Sequence, residues 1–264
     1  MNNLFKRFFF GAIYVGVLIL ASSKPIYIGV VFLLTGIIGT LEVKKILDKQ
    51  NIIVDIWPVL ILGISSYISI IYPDKKGIII LGLLSYTMGI TFYANSKSIQ
   101  KIGNTLFCIC YIFIPLALAI PIAESNNTFE SNTLIGLFIL IWASDSWAFI
   151  LGKLFGRRKL FEKISPNKTL EGFVGSFILT SLTGGIIGQK YLVLPFIEGV
   201  FLGGLTVCIA TSGDLFQSML KRGANVKDSG NILPGHGGIL DRFDSILFCF
   251  PIYYVYFNFI RPLF

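Results

Sequence analysis

The chain has 264 residues, of which 54% are apolar and only 14% charged, and its mean hydropathy is +0.77. A water-soluble domain must cover itself with polar side chains, so this balance excludes one and indicates a polytopic membrane protein. The formal charge of +8 would point a soluble protein toward nucleic acid, but in a membrane protein it reports orientation.

An apolar run of about 20 residues crosses a ~30 Å hydrocarbon core. Taken in order, the runs are 8–21, 26–41, 57–72, 77–93, 105–123, 133–151, 172–188, 192–213 and 245–260. The expected fold is therefore all-α, with about nine transmembrane helices and a range of eight to ten, because only Pro73-Asp74-Lys75-Lys76 separates the third run from the fourth. Lys6 and Arg7 precede the first run as in a signal peptide. No small-residue cleavage site follows, and the run reads as a first transmembrane helix. The four cysteines, Cys108, Cys110, Cys208 and Cys249, lie in apolar runs without metal-binding spacing and read as small buried hydrophobes.

Cytoplasmic loops collect Lys and Arg. With the N-terminus inside, the inner segments hold Lys6, Arg7, Lys44, Lys45, Lys49, Lys97, Lys101, Lys153, Arg157, Arg158, Lys159, Lys163, Lys168, Lys221, Arg222, Lys227 and Arg242. The outer ones keep only Lys24, Lys75, Lys76, Lys190 and Arg261. This asymmetry puts the two richest polar loops, 152–171 and 214–244, on one cytoplasmic face. A single membrane domain, 1–264, is expected. Residues 1–123 form its housing, with oligomer or lipid contacts, and residues 124–264 form a catalytic half.

The chemistry is concentrated in that second half. Asp145 interrupts an apolar run, roughly 10 Å from its cytoplasmic end at 1.5 Å per residue. An intramembrane carboxylate normally lines a cavity or finds a partner, here Ser144, Ser146 or a neighbouring helix. Arg157, Arg158 and Lys159 either set topology or meet anionic headgroups. In Ser165-Pro166-Asn167-Lys168-Thr169, Pro166 suggests a turn and Thr169 a cap for a helix starting near Leu170. Lys168 then stands where exposed N–H groups also favour an anion.

If the eighth helix continues past Gly213, Asp214, Ser218, Lys221 and Arg222 share a face, and Gly223 can end the helix in a left-handed cap. Lys227-Asp228 follows, then Pro234-Gly235-His236-Gly237-Gly238, where glycines let backbone N–H groups turn toward an anion. His236 is the only histidine. Asp241 and Asp244 lie one turn apart at the start of the last helix, with Arg242 between them; surface salt bridges are the bland alternative for this trio. Asp145, Asp214, Asp241 and Asp244 form an oxygen-rich set suited to Mg²⁺. Cations beside them suit polyphosphate, and together they suggest phosphoryl or nucleotidyl transfer. No Walker motif is present.

Ser218-Met219-Leu220-Lys221-Arg222, Lys227-Asp228 and the run Leu233 to Asp244, LPGHGGILDRFD, resemble the signature of the phosphatidate cytidylyltransferase (CDP-diacylglycerol synthase) family. The stretches SPNKTLEG and SDSWAF resemble that family's upstream motifs, with Phe149 where a tyrosine is common. The resemblance implies a Mg²⁺-dependent enzyme of the inner membrane, acting at the cytoplasmic face. It would transfer CMP from CTP to phosphatidic acid in phospholipid biosynthesis, releasing pyrophosphate. Its partners would be CTP, phosphatidic acid and membrane lipids, not nucleic acid; a second metal, a monovalent cation and a homodimer are compatible with it.

On this reading Asp214, Asp241 and Asp244 hold the metal, supported by Asp145. Lys168, Asn167, Thr169, Ser218, Lys221, Arg222, Lys227, Asp228, Gly237, Gly238 and Arg242 contact substrate. His236 either binds phosphate or acts as a general acid to pyrophosphate. A CTP-dependent lipid kinase would share parts of this site. A transporter should instead carry interrupted helices in both halves, whereas the polar chemistry here is confined to one.

Overall fold

In the computed structural model, which describes residues 3–72, 74, 76–92, 98–124, 130–232 and 237–263, the apolar runs become helices. In the first half these are α1 (Asn3–Ala21), α2 (Pro25–Lys49), α3 (Ile56–Ile71), α4 (Lys76–Phe92), α5 (Ser98–Cys108), α6 (Ile114–Ala117) and α7 (Ala119–Glu124). The second half holds α8 (Glu130–Phe155), α9 (Leu170–Ile187), α10 (Phe196–Gly223) and α11 (Leu240–Val255). Six helical stretches among the described residues are long and apolar enough to cross a membrane: Pro25–Lys49, Ile99–Glu124, Thr133–Phe155, Leu170–Leu192, Phe196–Gly223 and Leu240–Ile260. Three apolar helices, Phe9–Ala21, Ile56–Ile71 and Ile80–Gly89, are shorter.

Two local readings change. Residues 156–169 are not a simple loop with a turn at Pro166: they form an antiparallel hairpin of β1 (Lys159–Phe161) and β2 (Ser165–Thr169). Its register shifts between the pairs Lys159–Thr169 and Phe161–Ser165, next to Pro166, which has no N–H to give the ladder. Cys108 and Cys249 are buried as expected, but Cys110 and Cys208 are exposed. Outward faces of membrane helices are as apolar as their cores, so an apolar run does not by itself imply burial.

Small residues set the closest helix contacts, as is usual where no hydrophobic force drives association. On α9 and α10, a Cβ on Gly184 would lie 2.3 Å from the Gly199 carbonyl oxygen, and one on Gly203 would lie 2.4 Å from that of Thr180. On the other side of α9, the Ser176 hydroxyl donates to the Ser144 carbonyl of α8 at 2.7 Å. Helices α8, α9 and α10 therefore form a tight sheaf. The aromatic core lies between the halves, where Phe32 of α2 contacts Phe243 and Phe250 of α11 and Phe250 also meets Phe138 of α8.

Candidate active site

Helix α10 runs unbroken through Thr211-Ser212-Gly213 to Gly223, which carries Asp214, Ser218 and Lys221 on one face. Its end differs from expectation: the left-handed residue is Asn225 (φ 54°), beyond Gly223. Helix α11 starts beside Asp214 because Gly213 lets it approach, a Cβ there lying only 2.6 Å from the Asp244 carbonyl oxygen. Gly213→Ala is accordingly expected to cost about 1–3 kcal/mol as an overpacked contact, and to lower turnover by displacing Asp244 from Asp214. Thermal unfolding and turnover of the purified variant in detergent check both.

At this junction a cavity of about 440 Å³ is lined by Asp145 of α8, Asn167, Lys168 and Thr169 of β2, Asp214 and Lys221 of α10, Asp228, and Asp241, Arg242 and Asp244 of α11. Five carboxylates and three cations thus converge from α8, the hairpin, α10, α11 and the segment between the last two. Asp145 is not satisfied by its neighbours, since Ser144 and Ser146 donate to the carbonyls of Ile141 and Trp142. It faces the cavity instead. Thr169 has two tasks, because its hydroxyl also accepts from the Gly172 N–H at 3.2 Å and caps α9.

Two ion pairs tie this polar wall together. Lys168 Nζ lies 2.5 Å from Asp214 Oδ2, with both side chains partly exposed, and Ser218 Oγ donates to Asp214 Oδ1 at 3.3 Å. Lys221 Nζ lies 2.7 Å from Asp241 Oδ1, with the side chains only 10% and 5% exposed. Asp241 Oδ2 accepts two further bonds, from the N–H groups of Ser229 at 2.8 Å and Gly238 at 2.9 Å. Asp244 Oδ1 accepts from the Ser245 N–H at 2.8 Å. Among the described residues Arg242 makes no ion pair, which leaves its charge available to a ligand.

Other expected contacts lie elsewhere. The Arg222 guanidinium donates to the Val226 carbonyl at 2.9 Å, and Arg222, Lys227 and Ser218 do not line the cavity. Gly237 takes the left-handed conformation (φ 83°) that a glycine tolerates. The Gly238 N–H, expected to meet a substrate phosphate, is turned to the protein's own Asp241. Pro234, Gly235 and His236 lie outside the described residues.

One buried acid escaped the sequence reading. Glu42 of α2 is 1% exposed and accepts bonds from Ser229 Oγ, Ile239 N and Leu240 N. Its signal was faint: it is the first acidic residue of the chain, at the end of an apolar run.

A divalent cation that prefers oxygen suits the all-carboxylate donor set. Asp214 and Asp244 would contact such an ion, with Asp145 in support: Asp241 is tied to the buried Lys221 and two backbone N–H groups, whereas Asp214 is held only by the partly exposed Lys168 and a longer Ser218 contact. Among the described residues, no three acidic, histidine or cysteine side chains form a ready-made metal cage. Mg²⁺ usually takes one or two carboxylates and completes its shell with water and substrate phosphate.

A second cavity, of about 290 Å³, adjoins the first. Phe10, Gly11, Tyr14 and Val15 of α1 and Trp142 of α8 wall it, and it shares Asp145, Asp241, Arg242 and Asp244 with the first cavity. One charged cluster therefore borders both cavities, the second being walled otherwise by mostly apolar side chains of α1 and α8.

Residues 5–260 match the model of the cytidylyltransferase family. The chain is also similar to curated proteins named phosphatidate cytidylyltransferase. It is 36% identical to that of Rickettsia typhi over 220 residues, 78% of this chain and 92% of the relative. It is 38% identical to that of Bacillus subtilis over 176 residues, 66% of this chain and 64% of the relative. It is 46% identical to that of Synechocystis over 161 residues, 56% of this chain and 54% of the relative. The matches to the Bacillus and Synechocystis proteins thus span less than two thirds of those relatives.

Proposed function

The chain belongs to the cytidylyltransferase family, and from that premise we propose that it is a phosphatidate cytidylyltransferase. A phosphate oxygen of phosphatidic acid attacks the α-phosphorus of CTP, the bond to the β-phosphate oxygen breaks, and CDP-diacylglycerol and pyrophosphate result. The observation that carries this reading is the shared cluster of Asp145, Asp241, Arg242 and Asp244 between the two cavities. The polar chamber suits a triphosphate, and the chamber walled by α1 and α8 suits the glycerol and acyl portion of a lipid.

Two negatively charged reactants meet here, and the lipid phosphate is already ionised at neutral pH. A general base is therefore unnecessary, and the site's task is to neutralise and align charge. Lys168 and Arg242 are placed to bind phosphate oxygens, and Asn167 and Thr169 border the same space. Lys221, committed to Asp241, holds the start of α11 in place. Mg²⁺, when bound, would neutralise the triphosphate and the developing charge on pyrophosphate, with Asp214 and Asp244 as its protein ligands and Asp145 in support.

We further propose that the three shorter apolar helices also cross the bilayer, making nine spans. The basic-residue asymmetry supports the cytoplasmic face of the inner membrane as the site's location.

Product identification tests the reaction. Purified protein given α-labelled CTP and phosphatidic acid with Mg²⁺ is expected to yield labelled CDP-diacylglycerol and unlabelled pyrophosphate. Labelled CDP with a further phosphorylated lipid would mean a kinase instead.

A further inference from the structure

We propose that Glu42 is a positioning residue for the transfer reaction: from α2, in the half otherwise read as housing, it sets where Asp241 and Asp244 stand. The proposal rests on the cytidylyltransferase reading above. Helix α11 opens at Leu240, and its N-cap residue, Ile239, has no side chain able to cap it. The missing acceptor comes from nearly two hundred residues away. Glu42 Oε1 accepts from Ile239 N at 2.9 Å, and Oε2 accepts from Leu240 N at 2.9 Å and from Ser229 Oγ at 2.8 Å. A negative charge at this point satisfies otherwise unpaired N–H groups and complements the positive end of the helix dipole. The first turn that it anchors carries Asp241, and Asp244 follows at the start of the next.

The segment before α11 is fitted around this carboxylate. A Cβ on Gly230 would lie 2.5 Å from Glu42 Oε1, and one on Gly238 would lie 2.5 Å from Oε2 and 2.0 Å from Ser229 Oγ. These two glycines are therefore required by an internal anion. Ser229 joins the two acids, its hydroxyl bonded to Glu42 and its N–H to Asp241. A shift of Glu42 is thereby transmitted to Asp241 through Ser229 and to Asp244 through the helix. Glu42 lines neither of the two site cavities, so its influence on the reaction runs through these contacts.

Glu42→Gln tests the idea, because the amide keeps the side chain's shape but sets an NH₂ group against N–H and O–H donors. Outer partners of this kind typically matter by 10- to 100-fold. The expected result is a folded protein whose kcat falls at least about tenfold, while KM for CTP changes much less. The Mn²⁺ affinity measured with CTP present should weaken in parallel, a readout independent of turnover. Ser229→Ala removes one of the three bonds and leaves the backbone intact; it should shift kcat and Mn²⁺ affinity the same way, by less, and it carries the test if Glu42→Gln fails to fold. Wild-type kcat and Mn²⁺ affinity in a folded Glu42→Gln protein, or in Ser229→Ala when that variant alone folds, would overturn the proposal. Failure of the parent reading is distinguishable, since the wild-type protein itself would then make no CDP-diacylglycerol.

Discussion

Lys221→Met is expected to destabilise the protein far more than Lys168→Met, although each lysine pairs with one aspartate of the site. The Lys221–Asp241 pair is nearly sealed from solvent, at 10% and 5% side-chain exposure. Removing one member of a buried pair leaves an uncompensated charge and costs about 3–5 kcal/mol. The Ser229 and Gly238 N–H groups still donate to Asp241, which places the loss toward the lower end of that range. The Lys168–Asp214 pair is 26% and 29% exposed, and a screened pair of this kind contributes about 0–1 kcal/mol. Thermal unfolding in detergent should therefore separate the two variants clearly. Turnover should not, because both fall: Lys168→Met through a lost phosphate contact, Lys221→Met through a displaced α11. Equal unfolding temperatures would show that burial does not distinguish the pairs.

Asp214→Asn should produce the largest loss of activity in a protein that still folds. Asp214 lines the cavity, where it meets Lys168 from the hairpin and Ser218 one turn along α10, and it is partly exposed. Asparagine keeps the shape but removes the charge that orients Lys168 and would hold a cation. Charge stabilisation at such a centre is worth several kcal/mol, and 1.36 kcal/mol is tenfold in rate, so kcat should fall by about a hundredfold or more. The unfolding temperature should move little, since no fully buried charge is stranded. Steady-state turnover beside a melting curve checks this; near-normal turnover would remove Asp214 from the mechanism.

Much of this site was legible in the sequence because helical spacing is rigid. Once α10 is taken to run past Gly213, the 3.6-residue repeat alone puts Asp214, Ser218 and Lys221 on one face, and three residues separate Asp241 from Asp244 by one turn. Arg222 left that face because its long side chain reaches forward, past the end of its own helix, to the Val226 carbonyl. The hairpin was not legible: two strands of three and five residues leave too short an alternation to recognise, and Pro166 argues for a turn as readily as for a broken ladder. The glycines around Gly238 were read as turning N–H groups toward a bound phosphate, but the Gly238 N–H turns to the protein's own Asp241. Sequence could not say that Glu42 receives the next two N–H groups, those of Ile239 and Leu240, because this partner in α2 is nearly two hundred residues distant and nothing local points to it.

On the proposed reading, carboxylates from α10 and α11 together would hold a divalent cation when a nucleoside triphosphate is bound. Paramagnetic resonance of Mn²⁺, which accepts the same oxygen ligands as Mg²⁺, measures this directly when titrated into purified protein with and without CTP. Wild-type protein is expected to bind Mn²⁺ in a CTP-dependent manner, and the double variant Asp214→Asn/Asp244→Asn is expected to lose that binding while remaining folded. Equal CTP-dependent Mn²⁺ binding by the folded double variant would contradict it.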